Sequence, residues 1–391
     1  MNAPAAPAPL TIVIAPDSFK GSLSAADAAA ALAAGVRDVL GAAPRITLCP
    51  MADGGEGTLD AISLVWGVDP RRITVTDALG RPRSARYALS ADARTGLIEA
   101  AEANGLPAVL DVPRQPLRAD TAGVGVIARS LLDQGVQEIL LCIGGSATTD
   151  GGTGLLTALG VRFLGQNGEP VAPGGGGLAE IRSLDLSGLH ERARDVVWRV
   201  AVDVNNPLCG ELGAAAVFGP QKGAEPGDIR RLDAGLANLA VVIAAETGID
   251  TRHLPGAGAA GGMPATLVPL LRAQMVPGST LVADAVGLAG HLAAADLVLT
   301  GEGRFDSQSL GGKVVEAVTR LAPAGCPVVV VAGSVGLSAQ QTRAAGVTAA
   351  FSLAAGPATL DELTEHAAER LRETAGQVAA LFMARQTGPP R

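Results

Sequence analysis

Residues 11–41, TIVIAPDSFKGSLSAADAAAALAAGVRDVLG, contain the stretch that decides the fold class. The apolar run from Thr11 to Ala15 predicts a buried strand, and the Ala- and Leu-rich pattern from Ser24 to Leu40 predicts a helix. Ser24 is a typical N-cap residue, and Gly41 is typical of the position that ends a helix. A polar turn, residues 16–23, joins the two elements. The stretch therefore predicts one strand–turn–helix unit of an α/β protein.

The same order of elements recurs towards both ends of the chain. Residues 45–50 predict a second buried strand, and residues 58–66 predict the helix that follows it. Near the carboxyl end, three more short apolar runs each precede a Gly/Ser/Pro turn and a helical pattern: 297–300, 328–332 and 348–352. Strands that alternate with helices are typical of a mostly parallel sheet. The two ends of the chain are therefore expected to form one α/β domain together.

The middle of the chain has a different pattern. Residues 73–75, 83–89 and 96–100 are strand-like runs with almost no helix between them, which favours antiparallel pairing. We therefore expect an inserted second α/β domain with a mixed sheet. The predicted division is a disordered tail over residues 1–9, one domain made of residues 10–70 and 290–391, and an inserted domain over residues 71–289.

Composition excludes several classes of function. Only 17% of the 391 residues are charged and the formal net charge is −8, so neither nucleic acid nor an anionic membrane is an expected partner. The four cysteines lack the spacing of a metal site and fit a reducing compartment. The amino end lacks the charged region of a signal peptide, and no uninterrupted apolar run approaches the roughly 18 residues that span a bilayer. A cytoplasmic protein is expected.

Three familiar motifs match parts of the sequence, but each lacks a neighbouring element or residue that its function requires. Residues 256–261 match G-x-G-x-x-G by letter, but no buried strand precedes them, as a dinucleotide site requires. Gly312 and Lys313 resemble the end of a P-loop, but the Ser or Thr that would contact Mg²⁺ does not follow them. Residues 331–336 resemble a nucleophile elbow, but Ala332 stands where that motif needs Gly. None of these three sites is therefore predicted.

Polar, Gly-rich turns follow most of the predicted strands. Ligands of an open α/β sheet bind outside the carboxyl ends of its strands, so these turns are expected to converge there. The turns after the first two strands supply Asp17, Ser18, Lys20, Ser22, Asp53 and Glu56. The run 143–152 supplies Gly144, Gly145, Ser146, Thr148, Thr149 and Asp150. The remaining candidates are Asn205, Lys222, Glu302, Asp306 and Lys313.

These residue types together are typical of phosphoryl transfer, in which catalysis depends on positioning and on charge neutralisation. Lys20 is predicted to neutralise charge on the transferring phosphate or on a substrate carboxylate. The predicted ligands of a divalent cation are the acids Asp53, Glu56, Glu302 and Asp306. The predicted phosphate- or substrate-binding residues are Ser18, Ser22, Gly144, Gly145, Ser146, Thr148, Thr149, Asn205, Lys222 and Lys313.

The general base is predicted to be Asp150, which ends a run of Gly and hydroxyl residues and has no cationic neighbour in the sequence. Asp17 is the rival, because it shares a turn with Lys20 and would orient the same hydroxyl group. The alternative for Asp150 is that it caps the helix predicted to start at Gly151. In that case its carboxylate would take no direct part in the chemistry.

The motifs in these turns resemble those of the bacterial type 1 glycerate kinase family. They occur in the family's order over nearly the whole chain: APDSFKGSLSA (15–25), PMADGGEGT (50–58), IGGSATTDGG (143–152), DVNNPLCG (203–210), FGPQKGA (218–224), GAGAAGGM (256–263) and LTGEGRFDSQSLGGK (299–313). Two positions depart from the family pattern. Ser309 stands where Thr is usual, and residues 314–316 replace a Pro-x-Gly, which changes how the helix after Lys313 begins.

The resemblance implies ATP-dependent, Mg²⁺-requiring phosphorylation of D-glycerate. We expect the 2-hydroxyl to be the acceptor, which gives 2-phospho-D-glycerate and ADP in the catabolism of glycerate and glyoxylate. The family also implies a flavodoxin-like, or Rossmann-like, domain formed by both termini and an inserted α/β domain, with the active cleft between them. The expected partners are ATP and D-glycerate, and a homodimer is left open.

Two alternatives are kept. The same machinery would suit a glycerate 3-kinase, or a kinase of a related hydroxy acid such as tartronate or a short aldonate. A cytoplasmic protein that binds or senses small carboxylates would have a similar cleft without any chemistry. The surplus of acids and lysines over what carboxylate binding needs counts against that second alternative.

Overall fold

A computed structural model describes residues 9–386 of the chain. The tail expected over residues 1–9 lies outside the described residues except for Pro9. The strands are β1 (Thr11–Ile14), β2 (Arg45–Leu48), β3 (Arg71–Thr76), β4 (Pro82–Leu89), β5 (Thr95–Glu99), β6 (Glu138–Cys142), β7 (Arg162–Leu164), β8 (Ser183–Asp185), β9 (Val197–Ala201), β10 (Gln274–Val276), β11 (Leu297–Phe305), β12 (Val328–Val335) and β13 (Ala349–Ser352).

The α-helices alternate with these strands over much of the chain. They are α1 (Ala25–Leu40), α2 (Thr58–Trp66), α3 (Ala101–Asn104), α4 (Ala122–Asp133), α5 (Thr153–Ala158), α6 (Ala214–Phe218), α7 (Pro226–Thr247), α8 (Met263–Leu271), α9 (Gly278–Ala285), α10 (Leu288–Leu292), α11 (Val314–Leu321), α12 (Ala339–Ala344), α13 (Leu360–Glu365) and α14 (Ala367–Gln386). Within residues 9–386, none of these helices is both long and apolar enough to cross a membrane.

The described residues form two compact units. Unit 1 comprises residues 9–53, 60–65 and 282–386, and unit 2 comprises residues 54–59 and 66–281. Each unit has a sheet and a hydrophobic core of its own. The domain boundaries near residues 70 and 290 stay a prediction.

The sheet of unit 1 is formed by strands from both ends of the chain. Its five strands have the order β13-β12-β11-β1-β2, and every neighbouring pair is parallel. The central strand β1 pairs with β11 on one side, where Ile12 is opposite Leu297, and with β2 on the other, where Ile12 is opposite Ile46. The prediction of a flavodoxin-like parallel sheet built from both termini is confirmed.

Both faces of this sheet are buried, which explains its continuous apolar strands. On β12, Val329 and Val331 belong to the core that includes residues of α1 and α14. The alternate residues Val330 and Ala332 belong to a separate cluster with Phe305 at the end of β11. Successive side chains of a strand point to opposite faces, so the Val residues of β12 contribute alternately to the hydrophobic clusters on the two sides of the sheet.

Helix α1 begins and ends where the sequence predicts. The side chain of Ser24 accepts a hydrogen bond from the backbone amide of Asp27 at 3.1 Å, and Gly41 follows the last turn with a φ of 62°. In the middle of α1, Gly35 packs against α14 so closely that a Cβ atom there would lie 1.9 Å from the carbonyl oxygen of Arg372. Helices α1 and α14 therefore pack through a glycine contact.

Strand β11 is longer than the sequence suggests. The sequence predicts a strand over residues 297–300 followed by a polar turn, but the strand continues to Phe305 and pairs with β12 over that length. The pairing needs close backbone approach at Gly301, where a Cβ atom would lie 2.1 Å from the carbonyl oxygen of Val331. Glu302 is therefore carried on the sheet itself and not on a loop.

The main sheet of unit 2 is mixed. Its six strands have the order β10-β9-β6-β5-β4-β3. The pairs β3–β4 and β4–β5 are antiparallel, as predicted, and the other three pairs are parallel. Strands β7 and β8 form a separate antiparallel pair. The prediction of a second α/β domain with a mixed sheet is confirmed.

Candidate functional site

The carboxyl ends of β1 and β11 lie at the switch point of the unit 1 sheet. From β1 the chain continues to β2 on one side, whereas β11 leads to β12 and β13 on the other. Such a point is the usual ligand site of an open α/β sheet. Asp17 follows β1, and its backbone amide donates to the carbonyl oxygen of Gly301 at 2.8 Å. Polar residues that follow β1 are therefore held beside those of β11.

Three carboxylates interact at this edge of unit 1. Asp17 and Glu302 are each only 8% exposed. Burial, and then the negative charge of Asp53, raise the pKa of Asp17 to about 7. The amide of Ser18, which donates to Asp17 Oδ1 at 2.6 Å, opposes that rise, and the charge of Lys20 opposes it more weakly. The cluster thus contains more buried negative charge than its own cations balance.

Glu302 is the acid of this cluster that lies within β11. Burial raises its pKa, and the charges of Asp306 and Asp53 raise it further. A hydrogen bond from Ser309 and the charge of Lys313 lower it. Its Oε1 atom is buried and has no hydrogen-bond partner among the described residues. An unpartnered buried carboxylate oxygen is costly to the fold, which points to a ligand.

Lys20 lies on the exposed side of the cluster. Its ammonium is 3.7 Å from Asp53 Oδ2, and its side chain is 78% exposed. Surface ion pairs contribute at most about 1 kcal/mol, so Lys20 has little value for the fold. Ser18 is half-buried, and Ser22 is exposed and donates from its hydroxyl to the carbonyl oxygen of Thr364 at 3.0 Å.

The acids of unit 1 suit a hard divalent cation. Mg²⁺ in kinases usually binds one or two carboxylates together with phosphate oxygens and water. Glu302 offers an unpartnered oxygen, and the charge of Asp53 acts on it. Within residues 9–386, no group of three or more His, Cys, Asp or Glu side chains is arranged to hold a metal ion. The donor set therefore fits a cation shared with a ligand better than one enclosed by protein.

Asp306 has local partners. Its carboxylate lies 2.8 Å from Nε of Arg304 and accepts a hydrogen bond from the backbone amide of Gln308 at 2.8 Å. The hydroxyl of Ser309 in turn accepts from the Asp306 amide at 3.1 Å, which completes a capping box on the 3₁₀ helix Ser307–Leu310. Ser309 thus retains the capping function of a hydroxyl residue, and Asp306 is tied to this turn.

Lys313 directly precedes α11 and has an extended backbone, with φ −89° and ψ −178°. Its charge lowers the pKa of Glu302, so it lies within electrostatic reach of the acidic cluster. The helix begins at Val314, and the carboxylate of Glu316 accepts a hydrogen bond from the backbone amide of Gly312. Glu316, one of the residues that stand in place of the family's Pro-x-Gly, thus ties the first turn of the helix to the preceding turn.

In unit 2, Asp150 is fully buried, which corrects the expectation that it is open to a ligand. Its Oδ2 atom accepts from the amide of Thr121 at 2.9 Å, from the Thr121 hydroxyl at 2.7 Å and from the amide of Gly154 at 3.1 Å. Oδ1 accepts from the amide of Gly152 at 3.2 Å. Burial raises the pKa of Asp150, and these hydrogen bonds oppose the rise. Both oxygens are committed to hydrogen bonds, so the geometry favours a structural role over the general base. The helix begins at Thr153 and not at Gly151, and Gly152 is its N-cap, so Asp150 binds the first turn of α5 from outside the cap position.

Lys222 is also enclosed, and its expected part in binding phosphate or substrate stays a prediction. Only 3% of it is exposed. Its ammonium donates to the carbonyl oxygen of Thr148 at 2.5 Å and to the hydroxyl of Ser146 at 3.4 Å. Burial lowers the pKa of Lys222 to about 8, and the charge of Asp150 acts in the opposite direction. Lys222 therefore contacts the 143–152 loop from inside the protein.

The other candidates of this loop differ in exposure. Gly144 packs so that a Cβ atom there would lie 2.9 Å from the Cα atom of Gly55. Gly145 is exposed, and its carbonyl oxygen accepts from the amide of Leu106 at 2.9 Å. Thr148 is fully buried, and the buried hydroxyl of Thr149 has no partner among the described residues. Gly145 is thus exposed and Gly144 half-buried, whereas Ser146, Thr148 and Thr149 are buried.

Asn205 and Glu56 are exposed residues of unit 2. Asn205 lies in the irregular segment after β9, and Glu56 lies in the Gly-rich turn before α2. Their chemical roles stay predictions.

Sequence reasoning missed three residues that shape the unit 2 loop. Asn104 is buried, and its side-chain amide donates to the hydroxyl of Thr148 at 3.2 Å. Thr121 supplies two of the donors to Asp150. Gly261, with a φ of 72°, approaches so closely that a Cβ atom would lie 2.0 Å from the carbonyl oxygen of Thr148. Gly261, within the G-x-G-x-x-G match, is therefore needed for close backbone packing. The sequence signal that could have identified these three residues is that they are small or polar residues in apolar surroundings.

Comparisons with known proteins agree with this architecture. The model of the glycerate kinase family matches residues 12–383. A glycerate kinase from Halalkalibacterium halodurans is 44% identical over 95% of this chain and 98% of its own length. The glycerate 2-kinase of Escherichia coli is 41% identical over 95% of this chain and 97% of its own length.

A solved structure agrees as well. The crystal structure of a proposed glycerate kinase 2 from Salmonella typhimurium LT2 superposes with a TM-score of 0.88 at 44% identity, and the match covers 97% of this chain and 100% of that one. The resemblance seen in the motifs thus extends to almost the whole chain and to its fold. The chain belongs to the glycerate kinase family and is an enzyme, a kinase.

Proposed function

We propose that this kinase transfers the γ-phosphoryl group of ATP to the 2-hydroxyl of D-glycerate, with Mg²⁺, and releases 2-phospho-D-glycerate and ADP. The observation that carries the proposal is the acidic cluster of unit 1, where Asp17, Asp53 and Glu302 interact beside Lys20 at the switch point of the sheet. The name of the Escherichia coli relative supports the 2-hydroxyl. The product would enter the catabolism of organic acids such as glycerate and glyoxylate.

Glu302 and Asp53 are the residues that would hold Mg²⁺. The unpartnered Oε1 atom of Glu302 supports this assignment, because a buried carboxylate oxygen otherwise lacks any compensation for the water it has lost. When bound, the cation supplies neutralisation of the negative charge on the phosphates of ATP. The partners of Asp306 make that residue the weaker candidate.

Asp17 replaces Asp150 as the proposed general base. Its backbone is held against β11 through Gly301, and the residue retains a small exposed fraction that Asp150 lacks. The acceptor oxygen would form a bond to the γ-phosphorus while the bond from that phosphorus to the ADP oxygen breaks. The hydroxyl proton would pass to Asp17. A loose transition state needs mainly orientation of the hydroxyl, so a single carboxylate suffices.

The exposed cations would neutralise charge on the reacting groups. Lys20 is 78% exposed and lies 3.7 Å from Asp53, so we assign it to the transferring phosphoryl group or to the carboxylate of glycerate. Lys313, within electrostatic reach of Glu302, is assigned to the phosphates of ATP. In unit 2, the exposed residue Gly145 is assigned to an anionic oxygen of the substrates.

One experiment tests the substrate, the co-substrate and the position of the phosphorylated hydroxyl together. The pure protein is incubated with ATP, MgCl₂ and D-glycerate, and the products are identified by ³¹P NMR, with Lys20→Ala as the matched control. We expect the signal of 2-phosphoglycerate from the wild type and almost none from the variant. A signal of 3-phosphoglycerate would overturn the regiochemistry, and faster turnover of tartronate or a short aldonate would overturn the substrate.

A further inference from the structure

Lys222 is a buried charge that the proposed chemistry does not use directly. Lysines are almost never fully buried unless paired, because removing an ammonium from water costs several kcal/mol. Here only 3% of the residue is exposed, and its closest acceptors are a carbonyl and a hydroxyl, not a carboxylate. A small apolar side chain would serve the core at lower cost. The burial therefore calls for an explanation beyond folding.

The ammonium contacts one specific piece of backbone. Lys222 donates to the carbonyl oxygen of Thr148 at 2.5 Å and to the hydroxyl of Ser146 at 3.4 Å. The same loop is fixed by Asn104, whose carbonyl oxygen accepts from the amide of Ala147 at 2.8 Å and whose side chain donates to Thr148. Lys222 and Asn104 thus hold consecutive residues of the loop.

The segment that carries Lys222 is itself rigid. Lys222 ends the 3₁₀ helix Pro220–Lys222, and its amide donates to the carbonyl oxygen of Gly219 at 2.9 Å. Gly223 follows with a φ of 91°, where a Cβ atom would lie 2.4 Å from the Cβ atom of Arg114. A tight turn with a left-handed glycine aims the side chain inwards and gives it little freedom.

We propose that Lys222 is a positioning residue for phosphoryl transfer. Its ammonium fixes the backbone of the loop from the buried side, so that the exposed residue Gly145 meets an anionic oxygen of the substrates. A positive charge on the buried side of the loop also favours an anion on its exposed side. This inference rests on the proposed function and names the part of unit 2 that serves it.

A double-mutant cycle tests the inference. Lys222→Met removes the charge and both hydrogen bonds while it keeps most of the volume, and Ser146→Ala removes the loop hydroxyl that accepts a hydrogen bond from Lys222. We expect kcat/KM for D-glycerate to fall by about tenfold or more in Lys222→Met and by about threefold or more in Ser146→Ala. The double variant should lose little more than Lys222→Met, because the lysine acts through the loop.

The controls separate positioning from stability. Ile243→Val removes one buried methylene-sized group from the core of the same unit, and it should lower the unfolding midpoint without changing kcat/KM. Lys222→Arg keeps the charge, so it should recover part of the activity that Lys222→Met loses. If Lys222→Met does not fold, Lys222→Gln, which keeps an N–H donor for Thr148, takes its place in the cycle.

The outcomes that overturn the inference are distinct from those that overturn the proposed function. If the wild type is active and Ser146→Ala retains full activity, the loop takes no part in the reaction. Lys222 then has no positioning role. Additive losses in the cycle would make Lys222 a structural residue alone. Absence of any phosphorylation of glycerate by the wild type would instead overturn the proposed function.

Discussion

The hydroxyl of Thr121 donates a hydrogen bond to the carboxylate of Asp150 at 2.7 Å, and neither residue has any exposed surface. The same hydroxyl accepts from the amide of Leu155 at 2.8 Å, so it links the carboxylate to the first turns of α5. Thr121 precedes α4, which means that this pair joins the starts of two helices. The carboxylate therefore stabilises the architecture beneath the loop.

Asp150→Asn is expected to lower stability more than catalysis. The asparagine keeps one acceptor oxygen, but its amide would face the backbone N–H of Gly152, which leaves two donors opposed and costs about 1–3 kcal/mol. At a temperature where both proteins are folded, kcat should stay within about threefold of the wild type. Thr121→Val is the matched control and should shift the urea midpoint in the same direction. An unchanged midpoint with a kcat lowered by about tenfold would restore Asp150 as the base.

Lys20→Ala is expected to lower kcat/KM by about 10²–10³ without changing the unfolding midpoint. The side chain is largely exposed, so the fold loses little when its ion pair with Asp53 is removed. Arg372→Ala removes a comparable exposed pair, with Asp38, elsewhere in unit 1 and should retain full activity. Steady-state kinetics and thermal unfolding of both variants check this. A loss below about threefold in Lys20→Ala would exclude Lys20 from charge neutralisation in the reaction.

Asp17→Asn should lower kcat by about 10²–10⁴, because the acceptor hydroxyl would lose the group that orients it and takes its proton. The KM for ATP should change little. Asp27→Asn, an exposed acid in the first turn of α1, is the control and should leave kcat unaltered. Equal kcat values for the wild type and Asp17→Asn would exclude Asp17 as the base.

Removal of the divalent cation with excess EDTA should abolish turnover, and added Mg²⁺ should restore it. Glu302→Gln should raise the Mg²⁺ concentration needed for half-maximal activity by about tenfold or more, because one of the two proposed ligands loses its charge. Asp306→Asn should raise it far less, since that carboxylate is engaged by Arg304 and Gln308. Full turnover in EDTA, or equal effects of the two substitutions, would contradict this assignment.

The buried ammonium of Lys222 predicts a pH dependence of stability. Its pKa is lowered to about 8 in the fold, from 10.5, so between these values the unfolded chain binds more protons than the native one. Stability from this group should therefore rise as the pH increases from about 8 to about 10.5, by about 3 kcal/mol at most. Lys222→Met lacks this contribution, so the difference between wild type and variant in urea unfolding at about pH 7.5 and at about pH 10 measures it. An identical pH dependence in both proteins would contradict the lowered pKa.

Local sequence patterns were sufficient to predict the elements whose bounds depend on their own residues. The apolar run before Asp17, the N-cap Ser24 and the helix that ends before Gly41 all lie where the sequence indicates. The extension of β11 did not follow from local pattern. It depends on the close approach of Gly301 to Val331, a contact between distant parts of the chain.

The candidate site divides in the same way. The acids and lysines near the first strands were identified because Gly-rich turns after strands are recognisable in the sequence. The burial of Asp150 and Lys222 was not, since their partners, Thr121 and Thr148, are distant in sequence from them. A sequence shows which neighbours a side chain has along the chain, and these two residues are defined by neighbours in space.

The glycine contact between α1 and α14 has a consequence for synthesis. Strand β1 lies between β2 and β11, and α1 packs through Gly35 against the last helix, so the amino-terminal segment completes neither its sheet nor its core until residues 282–386 have left the ribosome. Residues 66–281 emerge earlier and contain a complete sheet of their own. We therefore expect unit 2 to fold first during translation, while the apolar segments β1 and α1 remain unfolded.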